Sequence, residues 1–315
     1  TLFPFTTLFR SSYEVYNFIF SELKQAVAQL GTGSDEISGD CTSLYQETDA
    51  WKRYANSLRM RYAMRISDEA PEKAKSEFEA AMNDAAGYIQ NDEQDAFVFH
   101  MDSPFTLYDG ATDLDFRGNA LSEMLYGQDP QSPTFVSSTL FYYLKNNHDP
   151  RLYQICRNYI CTTRSQTDTS GNYDVTDEVI AWGENGGAGI VPCNVGDAWW
   201  SDWVNGPDNS AIPTLEKLVK QNPDAGYDKN NYPARMIRPS LSINFEKTSC
   251  PGILMTYAEV EFLLAEAKSK GWNVSGTVEE HYHNGIRASM KMMNKYFGAT
   301  ISDAEIEEYI LYHPL

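Results

Sequence analysis

Four times along this chain a serine or threonine stands three residues ahead of a glutamate, at the head of an apolar stripe. The pairs are Ser11 with Glu14, Thr256 with Glu259, Thr277 with Glu280, and Ser302 with Glu305. The spacing is that of a capping box, in which hydroxyl and carboxylate take up N–H groups that a helix's first turn leaves unpaired. Behind Ser11, the residues Tyr16, Ile19, Phe20, Leu23, Val27 and Leu30 follow at three-four spacing, and Gly31 stops the helix. Thr256 opens Tyr257, Val260, Leu264 and Ala267. Thr277 opens Tyr282, Ile286, Met290, Met293 and Phe297, and Ser302 opens Ile306, Tyr309 and Ile310. Lys268, Lys270 and Gly271 close the first of these C-terminal segments, with cations on the negative helix end and glycine at C′.

Two further helices are predicted near the start. One runs from about Trp51 to Ile66, with Trp51, Tyr54, Ala55, Leu58 and Tyr62 on one face. The other has Pro71 at its first position and a stripe of Ala74, Phe78, Ala81, Ala85 and Ile89. Antiparallel helices joined by short turns form a hairpin array of the tetratricopeptide type. The expected fold class is therefore all-α, with tetratricopeptide-like helical hairpins carrying a long irregular, loop-rich insertion. The helical scaffold covers about 11–96 and 251–312, and the irregular region about 97–250. That middle stretch holds 10 of the 14 prolines and 11 of the 20 glycines. A helix at about Thr134–Lys145 and a short one at Thr214–Lys220 are its only periodic segments; the rest, including Gly183-Glu184-Asn185-Gly186-Gly187, reads as loop. Loops of that length in a compact domain carry function more often than not. Their aromatic content makes them ordered insertions on the helices, so residues 1–315 read as one unit, incomplete at both ends.

Charge and composition exclude several roles. Against 25 Lys+Arg stand 44 Asp+Glu, a net −19, and such a chain is repelled by nucleic acid and by anionic membrane surfaces. No run of about 18 apolar residues is present to span a bilayer, and no signal-peptide pattern opens the chain. With 42% hydrophobic residues the chain has the means to fold. The five cysteines (Cys41, Cys156, Cys161, Cys193, Cys250) contain no C-x-x-C pair. Cys156 and Cys161 could bridge in an exported protein, although free buried thiols are the plainer reading.

Three segments carry a resemblance. Residues 51–67, from Trp51-Lys52-Arg53-Tyr54-Ala55-Asn56-Ser57-Leu58 to Arg65-Ile66-Ser67, are similar to the W-x-x-[FY]-A-N-S-L-x-x-R-x-A-x-R-[IL] helix of the SusD/RagB family. Met255-Thr256-Tyr257-Ala258-Glu259 through Glu266-Ala267, with Gly271-Trp272 and then Tyr282-His283-Asn284-Gly285-Ile286-Arg287-Ala288-Ser289, resembles that family's T-Y-A-E-x-x-F-L-x-A-E-A, G-W and Y-x-x-G-I-x-A-S run. Asn147-His148-Asp149-Pro150-Arg151 looks like its N-x-D-P-R. The resemblance implies an all-helical, surface glycan-binding lipoprotein of a Bacteroidetes nutrient-uptake system. Such a protein is anchored in the outer membrane by an N-terminal lipidated cysteine and caps a SusC-like TonB-dependent transporter. The lipid-bearing cysteine has no counterpart in this chain, since Cys41 lies within the folded part.

Sugar rings present C–H faces that flat aromatic surfaces match while shedding water, and Tyr and Trp lose little side-chain entropy on binding. Four of the six tryptophans, Trp182, Trp199, Trp200 and Trp203, fall within 22 residues of the irregular middle. Asp197, Asp202, Asn194, Asn205 and Asp208 are interleaved with them. Trp182, Asp197, Trp199, Trp200, Asp202 and Trp203 are therefore the candidate glycan-binding set; the alternative is that these rings anchor a long loop. Tyr173, Tyr227 and Tyr232 read as core, and Trp51 and Trp272 as scaffold packing. Arg59, Arg61 and Arg65 read as ion-pair partners of neighbouring helices, and Asp109, Asp113 and Asp115 lack the order of a calcium loop.

No catalytic role is expected. The helix-borne acids Glu259, Glu279, Glu280, Glu307 and Glu308 read as caps and solvated faces, not as the facing carboxylate pair a glycosidase needs. No G-x-S-x-G, H-E-x-x-H or P-loop is present, and the five histidines (His100, His148, His281, His283, His313) form no ligand set. No metal or cofactor is expected. Behind the glycan reading stand a protein-binding or transporter-docking helical module and, third, a glycosidase with Asp197 and Asp202 as its acids.

Overall fold

A computed structural model describes residues 12–31, 39–45, 47–101, 118–119, 122, 136–187 apart from 162–171, 189–192 and 239–315. In chain order they form helices α1 (Ser12–Gln29), α2 (Thr48–Arg65) and α3 (Pro71–Met82), strand β1 (Ala96–Val98), helix α4 (Ser138–Asn146), and strands β2 (Cys156–Arg157), β3 (Tyr159–Cys161) and β4 (Asn172–Asp174). Helix α5 (Thr176–Glu184), strands β5 (Ser240–Leu241) and β6 (Gly252–Met255), and helices α6 (Tyr257–Ser269), α7 (Val278–Phe297) and α8 (Asp303–Tyr312) follow. The strands pair only as antiparallel two-stranded ribbons, β1 with β6, β2 with β5 and β3 with β4. They are too short to bury a face of their own. The fold is all-α, and none of the described helices is long and apolar enough to cross a membrane.

Backbone contacts divide the chain into two units. The first comprises Thr1–Phe99, Pro251–Met292 and Ile310–Leu315; the second comprises His100–Cys250 and Met293–Tyr309.

The first unit is built on α2. Its stripe packs as expected, with Trp51, Tyr54, Leu58 and Tyr62 half-buried against a core of Phe20, Met60, Ala63, Phe78, Met255, Val260 and Leu264. Contrary to a simple amphipathic reading, α2 also buries a polar side: Asn56, Ser57 and Arg59 are all interior. Each is satisfied. Asn56 Nδ2 donates to the Gly87 carbonyl at 2.8 Å, and the Ser57 hydroxyl accepts from Ile89 N at 2.9 Å. These two bonds hold the connection that leaves α3, which explains why Ile89 is buried although α3 has already ended at Met82.

Arg59 meets Glu77 of α3, with Nη2 2.8 Å and Nε 2.9 Å from Oε2, while Lys24 of α1 and Lys73 approach Oε1 at 2.6 and 3.1 Å. Arg61 forks onto Glu259 of α6 at 2.5 and 2.6 Å, and its Nη2 also donates to the Leu254 carbonyl at 2.9 Å. The ion-pair reading of Arg59 and Arg61 holds. Arg65 departs from it: it is exposed on the last turn and makes no ion pair among the described residues.

The caps explain where the C-terminal helices begin. At α7 and α8 the boxes close reciprocally: Thr277 N and Ser302 N each donate to the glutamate at 2.8 Å, and the hydroxyls accept in return at 3.1 and 3.3 Å. The exposed Glu305 carboxyl is held below its usual range by the Ser302 hydroxyl and backbone N–H. At α6 only half the box forms. Thr256 Oγ1 accepts from Glu259 N at 3.2 Å, but the Glu259 carboxylate has gone to Arg61. A fork onto a partly buried guanidinium outcompetes a bond to one backbone N–H. Gly271 ends α6 at φ 76°, and Trp272 behind it packs edge-on to Phe78 at 5.2 Å, a scaffold role as expected. Ser11 lies outside the described residues.

The second unit holds α4, α5, the short ribbons and the single turns Leu152–Ile155 and Ile243–Glu246. Its small core joins Val136, Phe141, Leu144, Leu152 and Cys156. Helix α4 starts four residues later than its apolar spacing suggests. Val136 N is engaged by the Pro239 carbonyl at 2.7 Å, and the Ser137 hydroxyl then caps Leu140 N. Past α4, His148 takes the left-handed conformation (φ 50°) and the buried Asp149 grips Arg151 at 2.9 and 2.6 Å. The N-x-D-P-R segment is thus a helix stop with its own internal ion pair. Cys156 is a free buried thiol rather than half of a bridge, and burial pushes its pKa up to about 12.

Burial raises the Glu77 carboxyl, but hydrogen bonds from Lys24, Arg59 and Lys73 and the Arg59 charge outweigh it, bringing the pKa from 4.5 down to about 2. A depressed carboxylate contributes stability above its unfolded pKa and loses it as pH falls towards the folded value. The Glu77 contribution is therefore complete above about pH 5 and is lost between there and pH 2. Its size is on the order of 3 kcal/mol. Urea unfolding of Glu77→Gln should show a deficit of about 3 kcal/mol at pH 7 that shrinks steadily below pH 5. A deficit independent of pH would show that the cluster does not act through the Glu77 charge.

Candidate functional site at the end of helix α5

Trp182 is the one candidate ring within the described residues. Asp197, Trp199, Trp200, Asp202 and Trp203 lie outside them, as do Asn194, Asn205, Asp208, Tyr227, Tyr232, Asp109, Asp113 and Asp115.

Sequence reading placed Trp182 in a loop; it stands on α5. The helix starts where it does because Asp174 takes both the backbone N–H and the hydroxyl of Thr176, at 3.0 and 2.6 Å. Asp174 is itself held by Arg157 Nε at 2.6 Å. Val175 and Val179 are buried beneath the first turns. The Gly183-Glu184-Asn185-Gly186-Gly187 run, which suggested irregular chain, is the helix end folding back on itself. Asn185 Nδ2 donates to the Ala181 carbonyl at 2.7 Å, Gly186 N to Gly183 at 3.1 Å and Gly187 N to Trp182 at 2.9 Å. Gly183 is tolerated in the helix because the chain returns against it: a Cβ there would lie 2.8 Å from Gly189 Cα.

Gly187 fixes the ring. A Cβ at this position would fall 2.2 Å from Cε2 and 2.4 Å from Cδ2 and Nε1 of Trp182, so the indole lies across bare glycine backbone. The ring is half-buried. Its neighbourhood supplies acceptors and donors for hydroxyl groups, with exposed Glu184 and Asn185 following it in the turn. Ile190, which follows the turn in sequence, and Tyr153 pack against the small core of this unit. Burial raises the Tyr153 phenol, and the Cys156 and Glu184 charges add to the effect. The sequence signal that could have found the arrangement is a tryptophan five residues before the second glycine of a Gly-Gly pair, the reach of one helix-end turn.

Four of the helix-borne acids have structural partners. Glu259 binds Arg61; Glu261, buried on α6, accepts from His281 Nδ1 at 2.7 Å; Glu280 and Glu305 serve as caps. His281 Nε2 lies 2.9 Å from the Ser275 carbonyl, so this histidine braces the turn between α6 and α7. Among the described residues no cluster of His, Cys, Asp or Glu could hold a metal ion.

The described geometry is thus that of one indole laid across glycine backbone at the end of a helix. The chain belongs to the SusD-like family: residues 3–183 and 219–313 match a family described as starch-binding and associating with the outer membrane. A Bacteroidetes AC2a SusD-like protein is 35% identical over 95% of this chain and 58% of its own, with a TM-score of 0.84. A chitin-binding protein (22% identity, 97% of this chain, 53% of its own, TM-score 0.66) shares the fold. So does a chitin-binding SusD homolog from Flavobacterium johnsoniae (21%, 96%, 49%, 0.56). The chain therefore spans about half the length of these structures. None of the curated proteins matches it.

Replacing Gly187 by alanine should lift the indole off the turn without unfolding α5, since the position needs space and not a left-handed backbone. The Trp182 indole N–H resonance, assigned with Trp182→Phe, is expected to move in Gly187→Ala while the thermal midpoint falls by only a few degrees. An unmoved resonance would mean that the ring does not rest on this glycine.

Proposed function

We propose that this chain is the helical-hairpin part of a non-catalytic glycan-binding protein of the outer-membrane surface. It is held there by a lipid anchor and passes oligosaccharide to a SusC-like TonB-dependent transporter. Residues 1–315 are read as a single SusD-like module. The observation that carries the reading is Trp182, an indole set across glycine backbone at an ordered helix end in a chain of this family. Trp199, Trp200 and Trp203, with Asp197 and Asp202, are proposed to extend the surface. Stacking on sugar C–H faces supplies affinity, while carboxylates and carboxamides fix hydroxyl groups. The commitment of Glu259, Glu261, Glu280 and Glu305 to arginine, histidine and backbone partners supports binding without hydrolysis.

The family description names starch, and two structures sharing the fold are chitin-binding, so α-glucan and chitin oligosaccharides are the ligands to try first. Binding should be modest, because a hydrated polar ligand gains little from each unit of area it covers. Isothermal titration with malto- and chito-oligosaccharides should detect one of them, with Trp182→Ala, Trp199→Ala or Trp200→Ala each weakening it about five- to tenfold. Equal affinity in all three variants would take these rings out of the site. Release of reducing sugar from either polymer would overturn the non-catalytic reading.

A further inference from the structure

Helix α4 shows a second surface. Phe141 and Leu144 are buried in the small core, which fixes the helix's inward direction. At about 100° per residue, Thr139, Tyr142, Tyr143 and Asn146 then fall on the opposite side. Their spacing (i, i+3, i+4, i+7) is the one that normally marks a helix's core face. Here it points outwards: all four are exposed, Tyr142 by 45% and Tyr143 by 67%. Solvent faces of helices are ordinarily charged, and this chain carries 69 charged side chains (25 + 44), yet the stripe has none. The only charged residue of α4, Lys145, turns aside and sits 5.9 Å over the Phe141 ring.

We propose that this stripe is a second glycan-contact surface, which rests on the glycan-binding reading given above. Two tyrosine rings flank the outward line of the helix, with a hydroxyl (Thr139) at one end and a carboxamide (Asn146) at the other, about 10 Å apart along the axis. That length suits a short stretch of oligosaccharide. An uncharged stripe of hydroxylated rings and amides on a chain of net charge −19 suits a neutral polyhydroxylated ligand and disfavours an anionic one. The inward side of α4, Phe141 and Leu144, is packed with Val136, Leu152 and Cys156, which fixes the direction in which the stripe faces.

The test uses affinity electrophoresis of the whole chain through gels containing soluble starch or glycol chitin. The samples are the parent, Tyr142→Ala/Tyr143→Ala and Tyr142→Phe/Tyr143→Phe, with circular dichroism confirming that each is folded. Removing both rings should weaken retardation about tenfold, and the phenylalanine pair should restore most of it. A retarded parent with an equally retarded alanine pair overturns this assignment alone. A parent retarded by neither polymer overturns the glycan reading, and the α4 surface with it.

Discussion

The scaffold depends on one buried carboxylate. Glu77, only 4% exposed, draws Lys24 from α1, Arg59 from α2 and Lys73 from its own helix. Arg59 cannot stay inside the unit without it, since a buried guanidinium without a counter-charge costs several kcal/mol. The cluster therefore specifies which faces of three helices meet, in a way that the alanine-rich stripe of α3 could not do alone. A comparable fork, Arg61 on Glu259, ties α2 to α6 across 198 residues of sequence. Buried Asp95 adds to it by accepting from Tyr257 N at 2.7 Å. Tyr257 in turn has its phenol raised, by burial first and then by Glu261. The two ends of the chain are thus joined by charge-assisted bonds, and the long middle segment begins and ends at the β1–β6 ribbon beside them.

What the sequence made legible follows from how local each cause is. Caps, stripes and stops act within a few residues, so α1, α2 and α6 through α8 were readable to within a few positions, whereas α3 begins at Pro71 as expected but stops at Met82, short of the Ala85 and Ile89 in its apparent stripe. The polar side of α2 was not. Asn56 and Ser57 look like surface residues until the carbonyl of Gly87 and the N–H of Ile89 arrive about 30 residues later to satisfy them. Glu259 misled in the same manner. Its spacing from Thr256 predicts a closed capping box, and a distant arginine claimed its carboxylate instead.

Helix α5 was missed for a related reason. Its nine residues include a glycine, and three more glycines follow within five positions, a composition that locally favours turns. Two close approaches reverse that preference: Gly183 against Gly189, and Gly187 against the Trp182 ring. Neither is visible in propensity, because what is selected at each is the absence of a side chain facing a particular neighbour. The glycines that looked like loop are what let an indole lie on an ordered helix end. How Trp182 is held was not readable in the sequence.

The distribution of charge joins the scaffold to the proposed role. Among the described residues, acids and bases pair within each unit, as Arg59 does with Glu77 and Arg157 with Asp174, or stand on exposed helix faces. The Thr139–Asn146 stripe carries neither, and the Trp182 indole lies across bare backbone. A single stacked ring gives about 1 kcal/mol, too little to hold a solvated sugar. Two such proposed surfaces on one chain change the arithmetic for a polymer. Once one stretch of ligand is engaged at either surface, the other meets the next stretch at a raised effective concentration, and avidity rises without any new contact.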